Sequence, residues 1–227
     1  MNYRAVIFGL AAFGLMVTGE GAQAKKKPWD AERYAQCLQA TGTDELAPDL
    51  LISSQRCRTG RDPVEKSEGL PIGANVRAWV AGARNKDDPE KAFVSIALGV
   101  KFERTSTYFG GATVTSDKGG SLGMGSVFAM VGGQRQELKI TAREGGQPDC
   151  SFMSNGAMGV QTCTFTEAVV VLLPVDLLNE LALTYQSDVE STFRFRVETS
   201  NGSITLLVPI AEIEAVRRGI FPVTQGG

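Results

Sequence analysis

The chain has 227 residues, with 23 lysines and arginines against 25 aspartates and glutamates, four cysteines and no histidine. The missing histidine removes histidine general bases, Ser-His and Cys-His nucleophile pairs and histidine metal ligands; a net charge of −2 lacks the basic footprint of a nucleic-acid binder. Apolar residues at 43% and charged residues at 21% are those of a globular protein.

Residues 1–24 have the layout of an export signal. Arg4 supplies the positive start, Ala5 to Val17 is apolar throughout, and Ala22-Gln23-Ala24 is the small-x-small pattern of a cleavage site. A helix that spans a bilayer needs about 20 apolar residues, so this run is too short for a permanent anchor. The expectation is a periplasmic or secreted protein starting at Lys25, with no stable membrane insertion after cleavage. Lys25-Lys26-Lys27 then reads as a solvated start, since a membrane-binding basic patch takes about 4–8 such residues.

Residues 25–61 read as a helical, disulfide-clipped N-terminal segment. Asp30 can cap a helix running to about Ala40, with Tyr34, Cys37 and Leu38 on one face. Gly42 stops it, and a second short helix is predicted over Glu45 to Ser53. Arg56, Arg58 and Arg61 cluster around Cys57 and are candidate anion contacts. Residues 62–75, with two prolines, two glycines and mixed charge, read as a linker.

From Val76 the apolar period changes to two, and residues 76–220 read as one β domain. Val76, Ala78 and Val80 open a strand, and Phe93 to Glu103 and Thr105 to Thr115 continue the pattern up to a break at Gly110-Gly111. Gly119 to Gly133 reads as a flexible loop with a short strand at Val127 to Val131, and Leu138 to Arg143 as another short strand. Asn155-Gly156 marks a turn in a loop between Cys150 and Cys163. Thr164 to Leu173 is predicted as a strand that puts Cys163, Phe165, Glu167, Val169 and Val171 on one face. A helix follows over Asp176 to Tyr185. Phe193, Phe195 and Val197, then Asn201-Gly202, then Ile204, Leu206 and Val208 spell a β-hairpin. Ile210 to Arg218 reads as a terminal helix and residues 221–227 as a loose tail. Consecutive strands with few intervening helices predict a mainly β fold, an antiparallel β-sandwich with short helices.

The four cysteines allow three connectivities. Proximity favours Cys37 with Cys57 and Cys150 with Cys163, each loop worth about 3 kcal/mol in the chain-entropy model. A four-cysteine zinc site would bring its ligands in close pairs such as C-x2-C, which are absent.

The segments Tyr108-Phe109-Gly110-Gly111-Ala112 and Cys163-Thr164-Phe165-Thr166-Glu167, the strand-Pro-helix Val169 to Leu181 and the hairpin-helix Phe193 to Val216 stand out. On these segments the β region resembles a group of secreted bacterial β-sandwich proteins with a Cys-x-x-x-Glu segment and no assigned activity. The resemblance implies a fold and no chemistry.

Glu167, on an otherwise apolar face, is the candidate functional carboxylate, either for acid–base work or as a hydrogen-bonding or ion-pairing group facing Arg143, Arg194 or Arg196. Gly119-Gly120-Ser121-Leu122-Gly123 matches G-x-S-x-G but has no histidine partner and no helix after the serine. Met124, Met130, Met153 and Met158 are the one set of soft ligands, with no histidine or C-x-x-C to complete a copper site. The expectation is therefore a non-catalytic interaction or accessory protein of the bacterial envelope, without cofactor or metal, whose partner is another envelope protein. Alternatives are a small apolar ligand held between the sheets and a carboxylate-dependent hydrolase.

Overall fold

A computed structural model describes residues 28–41, 49–85, 87–88, 91–109, 112–115, 121–156 and 158–221. The export-signal reading, Gly110-Gly111 and the tail after Phe221 lie outside the described residues. Among the described residues no helix is long and apolar enough to cross a membrane.

The protein is mainly β, with two antiparallel sheets and three helices among the described residues. The larger sheet has eight strands: β1 (Gln39–Thr41), β2 (Asp49–Ser53), β4 (Asn75–Asn85), β5 (Ala92–Phe109), β6 (Ala112–Thr115), β9 (Ile140–Gly145), β10 (Asp149–Ser154) and β11 (Met158–Leu173). The smaller has five: β3 (Val64–Glu68), β7 (Val127–Val131), β8 (Gln134–Leu138), β12 (Thr192–Thr199) and β13 (Gly202–Pro209). The helices are α1 (Ala31–Cys37), α2 (Val175–Thr184) and α3 (Ile210–Ile220).

The large sheet is tiled along two long strands. β5 and β11 pair from Val94/Leu173 to Met158/Phe109. β5 takes β4 along its first half and β6 along its last residues, while β11 takes β9 near its end and β10 near its start. Alternation sends Ile96, Leu98, Val100 and Phe102 of β5 and Val169 and Val171 of β11 to one face. There they share a single core with Phe193, Phe195 and Val197 of β12 and Ile204, Leu206 and Val208 of β13. Phe102, Ile96, Leu98, Phe195, Ile204 and Leu206 are each at most 2% exposed, so side chains fill the space between the sheets. α3 lies directly on β4: a Cβ on Gly82 would stand 2.6 Å from Ile220 Cγ1 and 2.9 Å from Val216 Cγ1.

Several expectations change here. Asp49–Ser53 is not helical: it is β2, hydrogen-bonded between β1 and β4. Among its described residues the N-terminal segment therefore contributes one helix and two strands of the large sheet, not two helices; residues 42–48, with the start of the predicted second helix, lie outside the described residues. Part of the expected linker, Val64–Glu68, is β3 at the edge of the small sheet. The expected strand Leu138 to Arg143 is divided at Lys139. Leu138 ends β8, paired with Val127 in the small sheet, and Ile140 begins β9, paired with β11 in the large one. Cys150 to Cys163 brackets a hairpin rather than a loop.

The glycine-rich stretch is also not a free loop. Its described part begins with exposed Ser121 and wholly buried Leu122, and continues as a β7–β8 hairpin turning at Gly132-Gly133, both at positive φ. The Leu122 carbonyl accepts from Ser200 N–H at 2.8 Å. Gly123, at φ +57°, presses on Ser200, where a Cβ would meet Oγ at 2.1 Å.

Candidate functional site

The disulfides are Cys37–Cys57 and Cys150–Cys163, so the four cysteines are crosslinks rather than a zinc site. Cys37 ends α1, whose N-cap Asp30 accepts from Arg33 N–H at 2.9 Å. Its partner Cys57 sits in the segment that leaves β2, and this bond fixes where Arg56, Arg58 and Arg61 can go.

Those three arginines line one cleft of about 790 Å³. The cleft lies where β2 stops covering β4. β2 pairs with β4 from Asn85 down to Ala81; Ser54 N–H then donates to Val80 O at 2.8 Å, and the chain turns away. It runs through residues 55–63 toward the small sheet, where Leu207 N–H donates to Pro63 O at 2.8 Å. Between this segment and the bare edge of β4 the cleft opens, floored by Ala78 and Trp79 and closed behind by Leu207 and Val208. Arg77, which no motif singles out, joins the three expected arginines. It lies beyond the expected linker, and only the docking of residues 55–63 against β4 brings it there.

The guanidiniums differ in what they already hold. Arg61 pairs with Glu190. Arg77 Nε donates to Asn75 Oδ1 at 3.3 Å. Arg56 and Arg58 are exposed and make no ion pair with any described residue. A second cleft of about 710 Å³ continues from the first, and Arg61, Pro63, Val76 and Arg77 line both. Together they form a groove along the start of β4, from Trp79 to Asn75, and on to Ala74 before it.

One carboxyl group lines the arginine cleft. Glu212, in the first turn of α3, is 7% exposed and reaches Ser54 and β4 from below. Ser54 Oγ accepts from Val80 N–H at 2.7 Å and has one hydrogen to divide between Glu212 Oε1 at 2.5 Å and Val80 O at 3.0 Å. Val80 N–H also reaches Glu212 Oε1 at 3.2 Å. Burial pushes the Glu212 carboxyl up to about 7, against the opposing pull of these hydrogen bonds. A large fraction of it is therefore neutral near neutrality, and it offsets the guanidiniums less than a surface carboxylate would. The sequence hid Glu212 because α3 is buried from Ile210 through Val216, so a position that reads as polar face is interior.

Glu167 has a different task. It is 7% exposed on the inner face, as the alternation predicts, and accepts the Leu122 N–H at 2.5 Å. It is a hydrogen-bonding anchor that pulls the glycine-rich stretch into the core. The arginines weighed as its partners are engaged elsewhere: Arg143 donates to Met124 O and Gly125 O, Arg194 pairs with Glu65 and Arg196 with Glu198.

Arg104, opposite Cys163 in the ladder, is a further buried charge. Its guanidinium carbon stands 5.3 and 5.6 Å from the rings of Phe102 and Phe165, a cation–π arrangement. Its Nε and Nη1 have no hydrogen-bond partner among the described residues. The four methionines do not converge: Met124 is in the core, Met130 is on β7, and Met153 and Met158 are on the β10–β11 hairpin.

No family model matches the chain, and neither a curated protein nor a solved structure is significantly similar to it.

Proposed function

We propose that the protein is an exported, non-catalytic interaction protein of the bacterial cell envelope, working in the periplasm or outside the cell, and that it holds another envelope protein in the arginine-lined groove. In this reading the two sheets form a β-sandwich, and the N-terminal segment is an appendage clipped to it by Cys37–Cys57. The leader-like residues 1–24 and the two disulfides, which form in oxidising compartments, support export. The observation that carries the interaction reading is the groove itself. Arg56 and Arg58 stand over an uncovered strand edge with no ion-pair partner among the described residues.

A photo-crosslinking residue at Thr59, in the groove, tests it inside the producing cell, with the same residue at Glu137 on β8 as control. The expected result is a discrete crosslinked envelope protein from Thr59 that Glu137 does not capture. No adduct, or the same adducts from both positions, overturns the reading. The intact mass of the protein from the envelope is expected to match Lys25 to Gly227 less four hydrogens, and a mass that includes Met1 refutes cleavage.

A further inference from the structure

We infer that the groove binds an extended, acidic polypeptide segment, which adds to the free edge of β4 at Val76–Ala78 and sets its carboxylates on Arg56 and Arg58. The inference rests on the interaction reading above and names the chemistry of the partner.

The backbone supplies the first argument. Val80 uses its N–H and C=O away from β5, toward Ser54. In an antiparallel strand these directions repeat every second residue. The N–H and C=O of Ala78 and Val76 therefore point the same way, into the groove that both residues line. β2 stops at Ala81, and among the described residues no strand covers β4 on that side from Asn75 to Trp79. A row of unpaired backbone groups is a template for an added strand.

Charge supplies the second. Arg56, Arg58, Arg61 and Arg77 surround this edge against two carboxyl groups: Glu212, turned under Ser54, and Asp62 in the second cleft, which accepts the Val64 N–H at 2.9 Å. Glu190 already shows how a carboxylate is taken, on Arg61. Two unpaired guanidiniums remain for the partner, and guanidinium–carboxylate pairs are among the stronger charge-assisted hydrogen bonds. The groove continues past the start of β4 at Asn75 to Ala74, a length that suits an extended chain rather than a single small anion.

The test uses the disulfide-bonded protein and a ten-residue peptide alternating valine and glutamate. Controls are the same peptide N-methylated at alternate amides, which keeps its charge but cannot pair, and a version with lysine for glutamate. The acidic peptide is expected to bind at least tenfold more tightly than either control, and to slow hydrogen exchange at the Val76 and Ala78 amides. Arg56→Glu with Arg58→Glu, both on exposed positions, should lower its affinity at least tenfold without changing the melting temperature. Equal binding of the N-methylated peptide overturns strand addition and leaves an anion site of general character, as free phosphate or an acidic saccharide would use. Unchanged affinity in the arginine variant overturns the inference as well. A Thr59 crosslink to an envelope protein alongside an acidic peptide that fails to bind sinks this inference alone; absence of the crosslink removes the reading beneath it.

Discussion

The two ends of the large sheet are finished differently. At the β2–β4 end the inner face lies under α3, Gly82 lets the helix press on the strand, and α1 packs in turn on Ala211 and Ala215. At the other end β5 and β11 run on past Arg104 and Cys163 with β6 and β10 alongside, leaving Phe109, Phe152 and Met153 63%, 61% and 69% exposed. Each end carries a disulfide, but of a different kind. Cys37–Cys57 ties a helix to the segment that walls the groove, whereas Cys150–Cys163 joins directly opposed residues of one ladder. The first end is held by layers, and the groove is a product of those layers. The second is held by strand pairing and local contacts, such as Phe152 lying over Gly159 and edge-on to Tyr108.

Two phenylalanines expose the difference most strongly. Phe102→Ala is expected to cost about 3–5 kcal/mol, the range for a large core aromatic. Phe152→Ala should cost about 1 kcal/mol, the worth of one aromatic pair. Urea unfolding of the two variants measures both. Equal losses would mean that the far end is as integral to the fold as the core.

The crosslinks come next. Loops of 20 and 13 residues each give about 3 kcal/mol on chain entropy alone. Cys37→Ser with Cys57→Ser should realise that loss and increase hydrogen exchange through residues 55–61, because α1 and the groove wall lose their tie. Cys150→Ser with Cys163→Ser should cost less, with faster exchange confined to β10, since the ladder still holds those strands together. The reverse order would show that the hairpin, not the layered end, limits stability.

The same contrast explains what could be read from the residues alone. Elements whose partner is next in the chain were legible: the Phe193–Val208 hairpin around Asn201-Gly202, the alternation of β11 that placed Glu167 inward, and both disulfides by proximity. Elements defined by distant partners were not. Leu50-Leu51-Ile52 is too short an apolar run to distinguish helix from strand, and β1 and β4 decide the matter. The glycines from Gly119 onward signal freedom, yet Glu167 and Ser200 remove it for Leu122. Of the groove, the arginines near Cys57 were visible as a cluster; Arg77, Glu212 and the bare β4 edge depend on which strand ends first.

Glu212 gives the layered end a pH dependence. Its carboxyl titrates near 4.5 in the unfolded chain and is pushed up to about 7 in the fold. Between these values the folded state binds more protons than the unfolded one. The stabilisation is therefore complete below about pH 4.5 and lost as pH rises through about 7, up to about 3 kcal/mol in all. Glu212→Gln keeps an acceptor for Ser54 and Val80 and should flatten this slope. It should unfold at a higher urea concentration than wild type at pH 8, with no such gain at pH 5. A urea midpoint that falls from pH 5 to 8 with the same slope in both proteins would remove Glu212 as its source.

Glu167 should yield the smallest effect. Glu167→Gln still offers an oxygen to Leu122 N–H and is expected to cost less than about 1 kcal/mol. Glu167→Leu leaves that buried N–H unmatched and should cost about 1–3 kcal/mol. The loss should appear as faster hydrogen exchange at Leu122 and Ser200, since the pinned stretch is what the carboxylate holds. The Gln variant separates anchoring from chemistry, because it preserves the hydrogen bond but not the charge. If it folds with normal stability and the producing cell keeps its phenotype, Glu167 is an anchor. If it folds normally and the phenotype is lost, the charge itself is used, and Glu167 returns to the list of reacting groups.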